Sequence, residues 1–109
     1  MSEEAIKAVV EAWFGDDPTM FDACTDEPEV AWQAILQILQ RDLTDDQKAS
    51  LAAGPLEMLL SYHGAAFIDR VEEQAQRNPR LNHLLGGVWR TDMAQDVWDR
   101  VERVRREVW

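Results

Sequence analysis

Apolar residues recur along this chain at intervals of three and four, the period of a helix face, and nowhere alternate with the period of two that marks a strand. Ile6, Val9, Val10, Trp13 and Phe14 predict a first helix. Ser2 suits its cap, Glu3 and Glu4 suit the positive end of its dipole, and Gly15 is its expected stop. Pro28 fits the first turn of a second helix, in which only Gln33, Gln37 and Gln40 interrupt an apolar circumference of Val30, Ala31, Trp32, Ala34, Ile35, Leu36, Ile38 and Leu39. A helix apolar almost all round is buried, so this one is expected at the centre with a glutamine edge.

Downstream, Thr44 and Gln47 stand in capping-box register before "DDQKASLAAG", with Gly54 as the expected stop. Pro55 then restarts a helix with Glu57 in its first turn. Its face of Leu56, Leu59, Leu60, Phe67, Ile68 and Val71 crosses Gly64, where the helix either continues or bends, and Asn78-Pro79 ends it. A short helix "PRLNHLL" closes on Gly86-Gly87, Val88 and Trp89 read as a buried connector, and a last helix begins near Thr91 or Asp92. Its stripe is Ala94, Val97, Trp98, Val101, Val104 and Val108. The pattern predicts one all-α domain over residues 1–109, an irregular orthogonal bundle of about six short to medium helices, because their lengths are too uneven for a regular four-helix bundle.

One segment stands apart. "GDDPTMFDACTDEP" lies between two prolines and carries Asp16, Asp17, Asp22, Asp26 and Glu27 with no base, so residues 15–28 are expected to form an acidic, non-helical connector pinned by Met20 and Phe21. It dominates the charge balance. Of the net −10, residues 1–57 supply everything, with 13 acids against 3 bases, whereas residues 58–109 hold 8 of each. Such a field repels bare nucleic acid, which binds through Lys and Arg, and it favours encounter with a basic protein. The competing reading is a solubilising surface.

Other classes are poorly served. No apolar run approaches the roughly eighteen residues of a membrane span, and the acidic start "MSEEAIKAVV" is unlike a signal peptide, so no membrane and a cytoplasmic location are expected. The single Cys24 makes no internal disulfide and, with two histidines, no recognisable zinc set. Its acidic neighbours Asp22, Asp26 and Glu27 disfavour a thiolate. The calcium-loop pattern fails at Pro18 and Met20, and no cofactor or metal is expected.

The stretch "LAAGPLEMLLSYHG" holds a glutamate and a histidine within one apolar run. Glu57 and His63 are six residues apart, roughly 9 Å along a helix, too far for a direct bond but open to a substrate between them. The structural reading is preferred: "GPLE" is a helix stop followed by a helix start, Glu57 satisfies helix-start amides, and His63 packs near Gly64. Ser61 cannot join His63 in a triad, because neighbours at i and i+2 face apart. Of the five tryptophans, Trp32, Trp89 and Trp98 read as core, with Trp13 and Trp109 left open.

Residues 32–89, with "LAAGPLEMLLSYHG", "IDRVEEQAQRNP" and "LLGGVW", resemble an uncharacterised bacterial helical domain family known by a Gly-Pro-Leu-Glu run, a following His-Gly and a closing Leu-Leu…Val-Trp. The resemblance implies a small helical protein and no established activity, and it leaves the acidic N-terminal part outside.

The expected function is therefore a non-enzymatic acidic protein that neutralises or inhibits a basic partner such as a toxin or nucleic-acid enzyme, in the manner of immunity proteins and phage inhibitors. Asp16, Asp17, Met20, Phe21, Asp22, Asp26, Glu27 and Glu29 form its expected contact surface. The alternatives are a structural or regulatory module, homodimeric through the glutamine edge or the last helix, and an enzyme centred on Glu57 and His63.

Overall fold

A computed structural model describes residues 3–109; the expected Ser2 cap lies outside them. Among the described residues every regular element is a helix, with no strand. The elements are α1 (Glu3–Phe14), α2 (Thr19–Asp26), α3 (Pro28–Ile38), α4 (Asp45–Leu51), α5 (Glu57–Arg77), α6 (Pro79–Leu85) and α7 (Gln95–Val104), with a π turn over Ala52–Leu56 joining α4 to α5 without a break. This is the all-α bundle that the periodicity predicts.

α3 is central. Val30, Ala31, Trp32, Ala34, Ile35 and Ile38 are all buried, and α1, α2 and α5 pack around it. Gln33 is half-buried, while Gln37 and Gln40 face outward, so the glutamine edge lies where the pattern places it. Trp32 packs against Phe67 of α5, with ring centroids 6.3 Å apart. α4 starts on the expected capping box: Thr44 accepts from the Gln47 amide at 3.1 Å, and Gln47 Oε1 accepts from the Thr44 amide at 2.9 Å.

Two expectations about helix ends fail. Residues 15–28 are not a non-helical connector, because Thr19–Asp26 forms α2. Eight residues between two prolines have little intrinsic helical stability. Burial decides the matter: Met20, Ala23 and Cys24, spaced i, i+3 and i+4, all enter the core. The second failure is at "GPLE", which neither stops nor starts a helix. The chain passes through Pro55 as a π turn, in which the Glu57 amide bonds the Ala52 carbonyl five residues back. Pro55 lacks an amide to lose, and the wider turn accommodates its ring. Gly54 serves a close approach, since a Cβ there would lie 3.2 Å from the Phe21 ring.

α5 continues through Gly64 but kinks at His63 (φ −133°, ψ 24°). α7 crosses there, and a Cβ on Gly64 would sit 3.0 Å from both Val97 methyl carbons. The last helix begins at Gln95, later than expected, with Val97 and Val101 buried. It ends by Arg105, because Asn82 intercepts the backbone: its amide donates to the Val104 carbonyl at 3.0 Å and its oxygen accepts from the Arg106 amide at 3.0 Å. Val108 is therefore exposed instead of continuing the stripe. No helix among the described residues is long and apolar enough to cross a membrane.

Candidate functional site

The acidic segment is built by the end of α1 and the start of α2. Gly15, Asp16 and Asp17 close α1 as a Schellman motif: the Asp17 amide bonds the Ala12 carbonyl at 2.9 Å and the Asp16 amide bonds the Trp13 carbonyl at 3.2 Å. The left-handed position of that motif, normally glycine, is held by Asp16 at φ 60°. Asp17 then nucleates α2 by accepting from the Thr19 amide at 2.9 Å and from the Thr19 hydroxyl. Those bonds, the hydroxyl's first, pull its carboxyl below the usual aspartate range.

Once α2 is helical, its burial pattern sorts the candidate residues. Asp16, Asp17, Asp22, Asp26 and Glu27 are exposed, and Phe21 keeps 41% of its surface in solvent. Among the described residues none of these five carboxylates forms an ion pair. Met20 is not a contact residue; it is 0% exposed, because position 20 faces the core while position 21 faces out. Glu29 is already committed. Arg70 grips it bidentately, with both N–H···O distances 2.7 Å, and this holds its carboxyl below the usual range.

The segment also borders a surface groove of about 460 Å³ lined by Trp13, Phe14, Asp16, Asp17, Pro18, Phe21, Asp46, Gln47 and Ser50. Three carboxylates and three aromatic rings therefore meet in one depression that has no basic residue in its lining. Trp13 and Phe14 pack edge to face, with centroids 5.0 Å apart. Phe14 already carries a cation, since the Arg41 guanidinium lies 4.8 Å over its ring while pairing with Glu11 at 3.2 Å. Chemically the groove suits a guanidinium or ammonium group, which gains both Coulombic and cation–π attraction.

Sequence reasoning missed Asp46, Gln47 and Ser50, which come from α4, some thirty residues away from the segment, with no local signal. The adjacent aromatics Trp13-Phe14 at the end of α1 were the one hint. The Met20, Ala23, Cys24 spacing would have revealed α2.

Glu57 and His63 are engaged separately. Glu57 Oε1 accepts from the Trp89 amide at 2.7 Å, so it ties the connector before α7 to α5 and does not satisfy helix-start amides. His63 Nε2 donates to the Thr25 carbonyl at 2.8 Å, fastening the kink of α5 to the end of α2. Trp89 is 54% exposed, contrary to its core assignment, while Val88 is buried. Trp98 is partly buried, as is Trp13. Cys24 is buried, its thiol directed at the Pro55 carbonyl at 3.3 Å, and desolvation pushes its pKa up to about 12. Burial, not the neighbouring acids, makes it unreactive. Among the described residues no three His, Cys, Asp or Glu side chains are placed to hold a metal ion.

A family model described as "Family of unknown function (DUF6869)" matches residues 2–108. The match takes in the acidic segment and both walls of the groove, well beyond the 32–89 stretch. No curated protein and no solved structure matches the chain.

Proposed function

We propose that this chain, which belongs to the DUF6869 family of unknown function, is a non-enzymatic binding protein that neutralises or inhibits a basic protein partner. The observation that carries this reading is the groove between α1, α2 and α4, where Asp16, Asp17 and Asp46 meet Trp13, Phe14 and Phe21 with no basic residue in the lining, the neighbouring Arg41 being paired with Glu11. A lysine or arginine of the partner enters the groove, and the outer face of α2, with Asp22, Asp26 and Glu27, adds a screened field that steers approach. Phe21 supplies the apolar contact.

The left-handed Asp16 supports the same reading. Aspartate tolerates the left-handed region better than most residues with a Cβ, and its presence where glycine is usual puts a carboxylate in the lining of the groove. A single buried thiol fits a reducing compartment, so we place the protein in the cytoplasm.

The test is kinetic. A basic protein that copurifies should associate more slowly as salt shortens the Debye length from about 30 Å at 0.01 M to about 8 Å at 0.15 M. Changing Asp16, Asp22, Asp26 and Asp46 together to Asn should slow association further, and Phe21→Ala should raise the dissociation rate. An association rate indifferent to both salt and the four substitutions would reduce the segment to a solubilising surface.

A further inference from the structure

α4 separates two depressions of opposite character. Its Asp46, Gln47 and Ser50 line the acidic groove, whereas Lys48 turns to a second pocket of about 320 Å³, formed with the 39–43 loop and the start of α6. Leu39, Leu43, Pro79 and Leu84 give this pocket an apolar lining, and Arg41, Lys48, Arg80, His83 and Asp42 supply its charged groups. Leu39 and Leu84 are core residues, 4% and 1% exposed, so the floor is continuous with the interior. The volume lies at the lower end of the range for small-molecule sites, which are apolar with a few convergent polar groups.

The charges are not equally available. Arg41 pairs with Glu11, and His83 Nδ1 pairs with Glu107 at 2.6 Å. Arg80 donates one N–H to the Leu39 carbonyl at 2.8 Å and meets no carboxylate among the described residues, so its charge is uncompensated. Lys48 meets no carboxylate among the described residues. What remains is Lys48 and Arg80 against Asp42, one positive charge in excess, inside a chain whose net charge is −10. An uncompensated cation beside leucines is complementary to an amphipathic monoanion.

We infer that this pocket binds a small organic monoanion, a carboxylate on a short apolar body, with Lys48 and Arg80 at the head group and Leu39, Leu43 and Leu84 along the body. This site is independent of the acidic groove and stands or falls separately from it.

The experiment is a methyl-resolved NMR titration of the whole chain with octanoate, octylammonium and octanol, on the wild type, Lys48→Gln and Lys48→Glu. Lys48 caps no helix and holds no other side chain among the described residues, so both variants are expected to fold, which the unperturbed spectrum of each verifies. Octanoate should shift the Leu39, Leu43 and Leu84 methyls saturably, and octylammonium should not. Lys48→Gln should weaken octanoate at least about ten-fold, the loss expected for a charge-assisted contact, and Lys48→Glu more. Equal shifts from octanoate and octylammonium, saturable shifts only elsewhere, or unchanged octanoate affinity in both variants would overturn the proposal.

Discussion

Carboxylates are used in two opposite ways in this molecule. Around α5 and α7 most are matched: Arg100 bridges Asp69 and Glu72, Arg77 pairs with Glu73 at 3.2 Å, and Arg105 approaches Glu102 at 3.9 Å, although Asp96 and Asp99 form no ion pair among the described residues. Around α2 five carboxylates face solvent with no cation, although Glu29, only two residues beyond Glu27, is gripped by Arg70. A merely solubilising surface needs no aromatic groove beside it. Much of the charge on the α5–α7 face goes into internal contacts, and in the function proposed above the unpaired charge around α2 is what meets a basic partner.

The largest effect that sharpens this contrast comes from adjacent residues of α2. Met20→Ala should cost about 2–5 kcal/mol in urea denaturation, the range for truncating a buried side chain. Phe21→Ala, one position on, should cost much less and act on binding. Equal losses would mean that Phe21 is a core residue after all.

Next, Asp16→Gly should stabilise the fold by about 1 kcal/mol, because glycine takes φ 60° without the Cβ penalty. The same variant should bind a basic partner less well. A destabilised Asp16→Gly protein would show that the Asp16 side chain supports the fold, which removes it from the site.

Smaller still is the Glu29–Arg70 pair, half-exposed and therefore worth less than about 1 kcal/mol. Since the folded-state pKa of Glu29 lies below its ordinary 4.5, the pair stabilises fully above that pH and its contribution disappears as pH falls through the lowered value. Glu29→Gln should flatten that part of the acid limb of a stability–pH profile while barely changing stability below it.

The smallest change is expected from Asp26→Asn. Asp26 stands in the last turn of α2, four residues after Asp22, where like charge and the helix dipole both disfavour it, so its removal should raise stability by about 0.2–0.5 kcal/mol. A loss of stability would reveal a cation partner in solution and erase the difference between the two faces.

Sequence alone carried the helical architecture a long way, for reasons visible in particular residues. The α3 circumference and the Thr44–Gln47 box are local codes, and both hold. The misreadings arose where tertiary contacts overrode local punctuation. Pro18 and Pro28 looked like the borders of a loop, yet core burial of Met20, Ala23 and Cys24 makes the residues between them helical. Pro55 looked like a start, yet a π turn carries the helix past it. Of the nine residues that line the groove, Asp16, Asp17 and Phe21 were legible as contact residues. Asp46, Gln47 and Ser50 join it only because the fold sets α4 across the groove from the end of α1, a juxtaposition with no signature along the chain.

The most direct measurement is an NMR titration of the isolated chain with a short arginine-containing peptide, compared with the same peptide bearing norleucine in place of arginine. Guanidinium entry into the groove predicts saturable shifts of the Trp13, Phe14 and Phe21 ring signals with the arginine peptide alone, weakened in the Asp16→Asn, Asp46→Asn double variant. Shifts spread evenly over every acidic residue, with the three rings unmoved and the double variant unchanged, would contradict a built site for a basic partner.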